Sequence, residues 1–233
     1  MESIAEKFTV YDFFNLLISG ATSLLLIGIC HFQEALKLLK NISKLTNKSS
    51  ILLGMSIAVF MIASLILGAL FQVIEDLIIK EKVGKERFLI ENCLNEKGVF
   101  NKDNDLWRLK FIQIKAKDYL ESPNHNLENF SKEESVAFFY HCVYYLHIKN
   151  IDKKAQKLDE TKSLSAQFIC TCIFAPTMSL FLGIFHLVKL SLISLYLYAA
   201  CILGTCIFAF RYNIACKNRI KIVLSIYEAY NED

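Results

Sequence analysis

The chain has 233 residues, 54% of them hydrophobic, and a mean hydropathy of +0.37. Soluble domains are about 45–50% apolar, so the excess indicates membrane-embedded segments. A formal net charge of +3 is too small to favour a nucleic-acid partner, and two prolines and eight glycines favour helices over a β-barrel. We therefore expect an all-α, polytopic membrane protein that does not bind nucleic acid directly.

The first membrane span is predicted at about residues 13–30. The segment before it is acidic and has no small-residue cleavage site, so we expect no cleavable signal peptide. Ser19 and Ser23 lie four residues apart on one helix face, with Gly20 beside them. This pattern favours close packing of a neighbouring helix, and the alternative is a polar pore lining.

Residues 31–50 are predicted to form a short amphipathic helix on the membrane surface. Lysines fall mostly on other faces than the apolar residues, which recur at helical spacing as Ala35, Leu38, Leu39, Ile42 and Leu45.

The second span is the clearest one, ILLGMSIAVFMIASLILGALF at 51–71. As a helix it covers about 31 Å, close to the hydrocarbon thickness of a bilayer. Ser64 and Gly68 form a small-xxx-small packing motif. Gly68, Gln72 and Glu75 or Asp76 then follow one stripe, and in a ring of copies Gln72, Glu75 and Asp76 would line a mouth that favours cations. The alternative is that a helix leaving the bilayer simply becomes polar.

Residues 77–165 have a different composition, with balanced numbers of acidic and basic residues and persistent helical periodicity. They predict a helical cytoplasmic domain inserted between spans 2 and 3. Ser131 and Glu134 have the spacing of a capping box at the start of one helix. The predicted helices are 77–94, 105–121, 131–149 and 151–165.

Spans 3 and 4 are predicted at about 166–188 and 190–210, joined by a tight turn. Both carry small residues spaced for close helix packing, with Pro176 inside the third. The tail continues the fourth helix and is expected to dock on the middle domain. We therefore divide the chain into 1–76, 77–165 and 166–233. The candidate packing residues of these spans are Ser179, Gly183, Ala200 and Gly204.

Basic residues near the span ends predict the orientation. They cluster at both ends of 77–165 and directly after the fourth span, which places both termini and the middle domain in the cytoplasm. The expected location is the inner (plasma) membrane. Four lysines of the first loop, Lys37, Lys40, Lys44 and Lys48, run against this orientation.

No catalytic signature was found in the sequence. Walker, Rossmann, nucleophile-elbow and zinc-protease motifs are missing, and no arginine is followed within seven residues by the histidine of a helical ribonuclease motif. His141 and His147 are six residues apart on different helix faces, so they make a poor metal pair. We expect no enzyme activity, no cofactor and no metal.

The segment YDFFNLLISG at 11–20 resembles the Y-D-x-(F/L)-x-x-(L/I)-x-P-G start of small bacterial membrane proteins, several of which are linked to phage defence. Ser19 stands where proline is usual. The plan of four spans with a helical insert is similar to the accessory membrane proteins of type VI-B CRISPR systems. This resemblance implies an oligomer that perturbs the bilayer or conducts ions once infection is sensed.

Two functions follow as hypotheses. In the favoured one, copies form a channel or membrane-perturbing homo-oligomer gated by the cytoplasmic domain, which receives a soluble protein or a nucleotide signal. In the alternative, the chain is a non-conducting anchor that recruits a soluble partner. The stripe from Gly68 to Asp76 discriminates between them, because it lines an axis in the first case and is buried or solvated in the second.

Overall fold

A computed structural model of the chain describes residues 10–46, 50–75, 85–95, 99–100, 106–120, 130–184 and 192–230. In these residues the chain is helical and contains no strands, which confirms the all-α class. The helices are α1 (Val10–Cys30), α2 (Phe32–Thr46), α3 (Ser50–Ile74), α4 (Glu86–Glu91), α5 (Leu106–Tyr119), α6 (Lys132–Ile148), α7 (Lys153–Ile184) and α8 (Leu192–Tyr230).

Four of these helices, α1, α3, α7 and α8, are long and apolar enough to cross a membrane, which matches the four predicted spans. The predicted helix 151–165 and the predicted third span join at 165/166 in one helix, because α7 runs without interruption from Lys153 through Pro176 to Ile184. No glycine or proline marks a break at that point, so the polar and apolar stretches join into one helix. Residues 185–191, between α7 and α8, lie outside the described part of the chain.

The helix predicted for 77–94 is shorter at its C-terminal end. Within residues 85–95 it covers only Glu86–Glu91, and a turn follows it. The Asn92 side chain donates a hydrogen bond to the carbonyl oxygen of Phe88, and the Asn95 N–H donates to the carbonyl oxygen of Asn92. Asparagine side chains commonly satisfy the backbone in this way where a helix ends. Residues 77–84 lie outside the described residues.

The chain divides into two compact units. The span unit comprises Met1–Ile79 and Leu164–Ala209, and the insert unit comprises Lys80–Ser163 and Phe210–Asp233. The tail therefore groups with the middle segment, whereas the sequence division had placed it with spans 3 and 4. Both α7 and α8 contribute residues to each unit.

The insert unit has its own apolar core, built from α4, α5, α6 and the ends of α7 and α8. Residues that the sequence placed on the docking face of the tail are buried in it, namely Ile220, Val223, Leu224 and Tyr227. The Tyr227 and Phe138 rings meet edge to face with centroids 5.5 Å apart. Burial raises the pKa of the Cys93 thiol to about 12 and also raises the pKa of Cys142, so both remain neutral core residues.

The capping box predicted at the start of α6 is confirmed. The Glu134 N–H donates to Ser131 Oγ at 3.1 Å, and the Ser131 N–H donates to Glu134 Oε2 at 2.7 Å. Two backbone donors at the helix start are thereby satisfied, which fixes where α6 begins.

In the span unit, α1 and α3 approach each other to backbone contact. A Cβ atom added at Gly20 would overlap the carbonyl group of Ser64, and one added at Gly68 would overlap the backbone of Leu16. Glycine on both helices is therefore what permits the close approach.

Substitution of either glycine tests this contact. Gly20→Ala and Gly68→Ala are expected to destabilise the folded protein by about 1–3 kcal/mol, because the helices must move apart to accept the methyl group. The measurement is the thermal unfolding of the detergent-solubilised protein. Gly28→Ala and Gly54→Ala are matched controls, since a Cβ atom at either position meets nothing within 4 Å. Equal losses in all four variants would contradict the contact.

Candidate functional site

The span unit has the reverse polarity of a soluble domain. Polar side chains point inward, including Asn15, Ser19, Ser23, Ser64, Gln167 and Thr171. Large apolar side chains point outward, including Ile18, Leu25, Val59, Ile66, Ile202 and Ile207. Water-soluble proteins bury the second kind and expose the first. An apolar exterior over a polar interior suits helices surrounded by lipid.

Interhelical hydrogen bonds connect these inward polar groups. Thr171 Oγ1 of α7 donates to the carbonyl oxygen of Ser19 on α1 at 3.2 Å. Ser194 Oγ of α8 donates to the carbonyl oxygen of Cys30 at 3.0 Å. Such bonds are a main source of helix association in a bilayer, where lipid and side chains are equally apolar.

His31, which follows α1 directly, takes part in a three-residue polar contact centred on Ser179. Its Nε2 lies 2.8 Å from Ser179 Oγ on α7, and the Tyr198 hydroxyl of α8 donates to the same oxygen at 3.0 Å. Sequence reasoning missed His31, because it stands alone at the end of an apolar run with no spacing signal. The contact joins three parts of the chain that are far apart in sequence.

Three buried polar atoms of the span unit have no hydrogen-bond partner among the described residues. They are Ser23 Oγ, His31 Nδ1 and Gln167 Oε1. Ser23 belongs to a stripe with four-residue spacing on α1 that also contains Asn15 and Ser19, and His31 lies eight residues after Ser23, just past the end of α1. Buried polar atoms of this kind are places where a water molecule or a polar solute can bind.

The predicted packing residues lie in different surroundings. Ser64 and Gly68 are buried where α3 meets α1, and Ser179 is buried against His31. A Cβ atom at Gly204 would lie 3.0 Å from the Cys172 sulfur, so Gly204 faces α7. Gly183 is half-buried and Ala200 is exposed. Most of these small residues are therefore used inside one chain.

The candidate mouth residues do not share one face. Gln72 is exposed, whereas the Glu75 side chain is 2% exposed. Phe71, one turn before Glu75 on the same face, packs against Phe174 of α7 with ring centroids 5.5 Å apart. Glu75 thus points into its own bundle. Asp76 lies outside the described residues.

The insert unit contains a pocket of about 670 Å³ formed by α4, α6, Lys162 of α7 and Arg219 of α8. Charged side chains of both signs and one aromatic ring, Tyr140, line it. The basic ones are Arg87, Lys132, Lys162 and Arg219. The acidic ones are Glu86, Glu91 and Glu133.

A network of four alternating charges includes three residues that line this pocket, Glu86, Lys162 and Arg219. Lys162 Nζ lies 3.0 Å from both Glu86 Oε1 and Asp159 Oδ1. Arg219 donates to Asp159 Oδ2 at 2.7 Å and to Glu86 Oε1 at 3.3 Å. Only the Asp159–Lys162 spacing is visible in the sequence, because Glu86 and Arg219 come from distant parts of the chain. Each of the four charged groups faces two groups of opposite sign, so the network as a whole is close to neutral.

The rim of the pocket has a second, more exposed charge cluster. Arg87 Nε lies 2.9 Å from Glu91 Oε1, and Lys132 Nζ lies 3.3 Å from Glu91 Oε2. The hydrogen bond from Arg87, together with Lys132, holds the pKa of Glu91 below its ordinary value. These exposed basic groups exchange partners at low cost, because surface ion pairs are weak.

His141 and His147, which the sequence spacing made a poor metal pair, each contact a neighbouring side chain. His141 stacks on the Tyr119 ring with centroids 4.1 Å apart, and His147 Nδ1 lies 3.2 Å from Asp152 Oδ2. In the part of the chain that the structure describes, no group of three or more potential ligands is placed to hold a metal ion.

Comparison with protein-family models, with curated proteins and with solved structures finds no match to this chain. Four helices able to cross a membrane indicate a multi-pass membrane protein. The features that bear on its function are therefore those of the span unit and of the insert unit.

Loss of one cation tests the buried network. Lys162→Met is expected to destabilise the protein by about 3 kcal/mol, the low end for a broken buried pair, because Arg219 still faces both carboxylates. The Lys162 side chain is 10% exposed, whereas that of Arg87 is 84% exposed, so Arg87→Met is the control and should change little. Urea unfolding, followed by far-UV circular dichroism, measures both. If Lys162→Met lowered the free energy of unfolding as little as Arg87→Met does, the network would add no stability.

The rim cluster predicts a pH dependence. Because the folded state lowers the pKa of Glu91, this group stabilises the protein above its ordinary pKa of 4.5, and the contribution is lost as the pH falls through the lowered value. Unfolding of the native chain and of Glu91→Gln should therefore differ near neutral pH and converge in acid. A constant difference across the titration would contradict the assignment.

Proposed function

We propose that this chain is a multi-pass protein of the plasma membrane whose four helices form an anchor and whose insert unit, in the cytoplasm, recruits a soluble partner. The observation that carries the proposal is the reversed polarity of the span unit. Its outer surface offers apolar side chains such as Ile66 and Ile202 to lipid, while buried polar groups such as Thr171 and His31 make hydrogen bonds between helices inside.

The direction of Glu75 favours an anchor over a pore formed between copies. A ring of carboxylates needs Glu75 on the face that meets the axis, and this side chain is buried on the face that meets α7. Gly68 is likewise occupied, since it receives the backbone of Leu16. Of the two mouth residues that the structure describes, Gln72 has the exposed side chain.

The pocket of the insert unit is the feature best suited to a partner. It is large enough for a peptide side-chain cluster or a nucleotide, and complementary charges at such a surface give specificity and speed of association. Arg87 and Lys132 at the rim are held only by exposed pairs, so a partner's anionic groups can displace Glu91 from them.

The cytoplasmic placement rests on the distribution of lysine and arginine. With four spans, the insert unit and both termini would lie on one side of the membrane, and the basic residues in the second half of α8 and at both ends of the insert favour the cytoplasmic side.

An oligomeric channel or membrane-perturbing assembly, with a role in antiviral defence as the resemblance implies, is the second candidate. The observation that favours it is the set of unpartnered polar atoms, Ser23 Oγ, His31 Nδ1 and Gln167 Oε1, inside the bundle. A polar line of this kind is how a span unit would pass water or ions through its interior.

Mass and ion flux separate the two candidates. For the anchor we expect native mass spectrometry of the detergent-extracted protein to give a monomer or dimer, and proteoliposomes to leak no faster than empty liposomes. Liposomes with a known ionophore serve as the positive control. A ring of four or more copies with a flux that Ser23→Ala or Gln167→Ala reduces would overturn the anchor and establish the channel.

A further inference from the structure

Gln167 of α7 carries a buried amide group inside the span unit. The residue is 2% exposed, and its Oε1 atom has no hydrogen-bond partner among the described residues. An amide oxygen accepts hydrogen bonds and cannot donate, so the carbonyl groups of neighbouring helices do not satisfy it. The backbone N–H groups in the interior of a helix are already used by that helix. This oxygen therefore needs a donor that the helix backbones do not supply.

Contacts between α1 and α7 show that the two helices run in the same direction. Thr171 donates to the carbonyl oxygen of Ser19, and the later residue Ser179 contacts the later residue His31. Residues one turn earlier on each helix therefore lie at one level, on the same side of the bond between Thr171 and Ser19. Gln167 lies at that level.

The residue of α1 at the same level is also polar and buried. Asn15 lies one turn before Ser19, as Gln167 lies one turn before Thr171. Asn15 is 5% exposed, and Ser19 and Thr171 are completely buried. Together the four side chains, Asn15, Ser19, Gln167 and Thr171, form what we call the polar layer. Their amide and hydroxyl groups include both donors and acceptors.

We infer that the polar layer binds water inside the bundle, with a water molecule donating to Gln167 Oε1. Buried water molecules in proteins make about three hydrogen bonds, to polar groups that would otherwise lack partners. The polar layer offers such groups from two helices at one level. A bound water molecule removes the cost of an unpaired acceptor and is itself held by the neighbouring amide and hydroxyl groups.

The contact between α1 and α3 is of a different kind. At Gly20 and Gly68 the backbones of the two helices touch and leave no space for a methyl group. A gap that does not admit a methyl group does not admit a water molecule either. Helix α1 therefore has a dry contact with α3 and a hydrated contact with α7.

The inference rests on the proposed membrane anchor, because lipid around the span unit is what separates the polar layer from bulk water. The direct bond from Thr171 to Ser19 bounds the layer on one side, and Ser23 lies one turn beyond that bond. We therefore expect the water to be held in the layer and not to pass along α1, as a non-conducting anchor requires.

Solid-state NMR measures the contact between water and a side-chain amide directly. The full-length protein, with isotopically labelled glutamine and asparagine side chains, is reconstituted in phosphatidylcholine bilayers, and magnetisation is transferred from water to the amide groups. The variant Gln167→Met identifies the Gln167 signal by its loss. We expect transfer to Gln167 to be fast, because a bound water molecule touches its amide.

Two other glutamines supply the controls. Gln113 is buried in the insert core and donates to the carbonyl oxygen of Leu94 at 2.7 Å, so it is the matched dry amide. Gln156 is exposed and is the wet amide. Transfer to Gln167 is expected to be several times faster than transfer to Gln113 and close to that of Gln156.

Removal of the Gln167 amide gives a second test. In Gln167→Met, which keeps the length of the side chain, transfer from water to the Asn15 amide is expected to fall severalfold, because the shared water molecule loses a partner. Gln156→Met is the control and should leave the Asn15 signal unchanged. Circular dichroism verifies that each variant is folded.

Transfer to Gln167 that is as slow as transfer to Gln113 would overturn the inference. An Asn15 signal that is unchanged in Gln167→Met would overturn it too, since the two amides would then share no water. Fast transfer together with an osmotic water permeability above that of empty liposomes would contradict water held in place and assign the polar layer to a pore.

Retention of the protein in the bilayer after alkaline washing is scored separately. Loss from the bilayer would count against the membrane anchor, whereas retention with slow transfer to Gln167 counts against water in the polar layer alone.

Discussion

Every feature of the span unit depends on one constraint, which is that the hydrocarbon of a bilayer offers no partner to a polar group. A hydroxyl or imidazole carried on a spanning helix must therefore find its partner on another helix or on its own backbone. Ser19 and Ser64 use the carbonyl groups of their own helices, at Leu16 and Phe60. His31, Ser179 and Tyr198 use one another. The bonds between different parts of the chain favour an inward direction for the faces that carry these polar groups, and the apolar side chains remain outside.

The pattern of exposed and buried side chains reverses along the two longest helices, α7 and α8. In the span half of α8 the large apolar residues Leu203 and Ile207 are exposed, whereas in its second half Ile220 and Leu224 are completely buried. One continuous helix thus exposes its large apolar side chains over its first half, as a helix in lipid does, and buries them over its second half, as a helix in water does. The charged network of Lys162 and Arg219 lies in the insert unit, where buried ions require direct partners of opposite charge.

The sequence predicted the parts of the fold that depend on local pattern. Uninterrupted apolar runs located the four spans, and the Ser131–Glu134 spacing located the start of α6. The sequence did not show that the segments on either side of 165/166 form one helix, because a helix that leaves the membrane needs no break there. Periodicity placed Glu75 on a face of α3, but the neighbour that covers this face comes from α7 and left no local signal. The Glu86–Arg219 contact was missed for the same reason.

The composition of the insert core also constrains the order in which the two units can fold during synthesis. Ile220, Val223 and Leu224 complete that core, yet they follow the fourth span in the chain. The insert unit therefore cannot close during synthesis until that span has left the ribosome, whereas α1 and α3 can pack as soon as both have been translated.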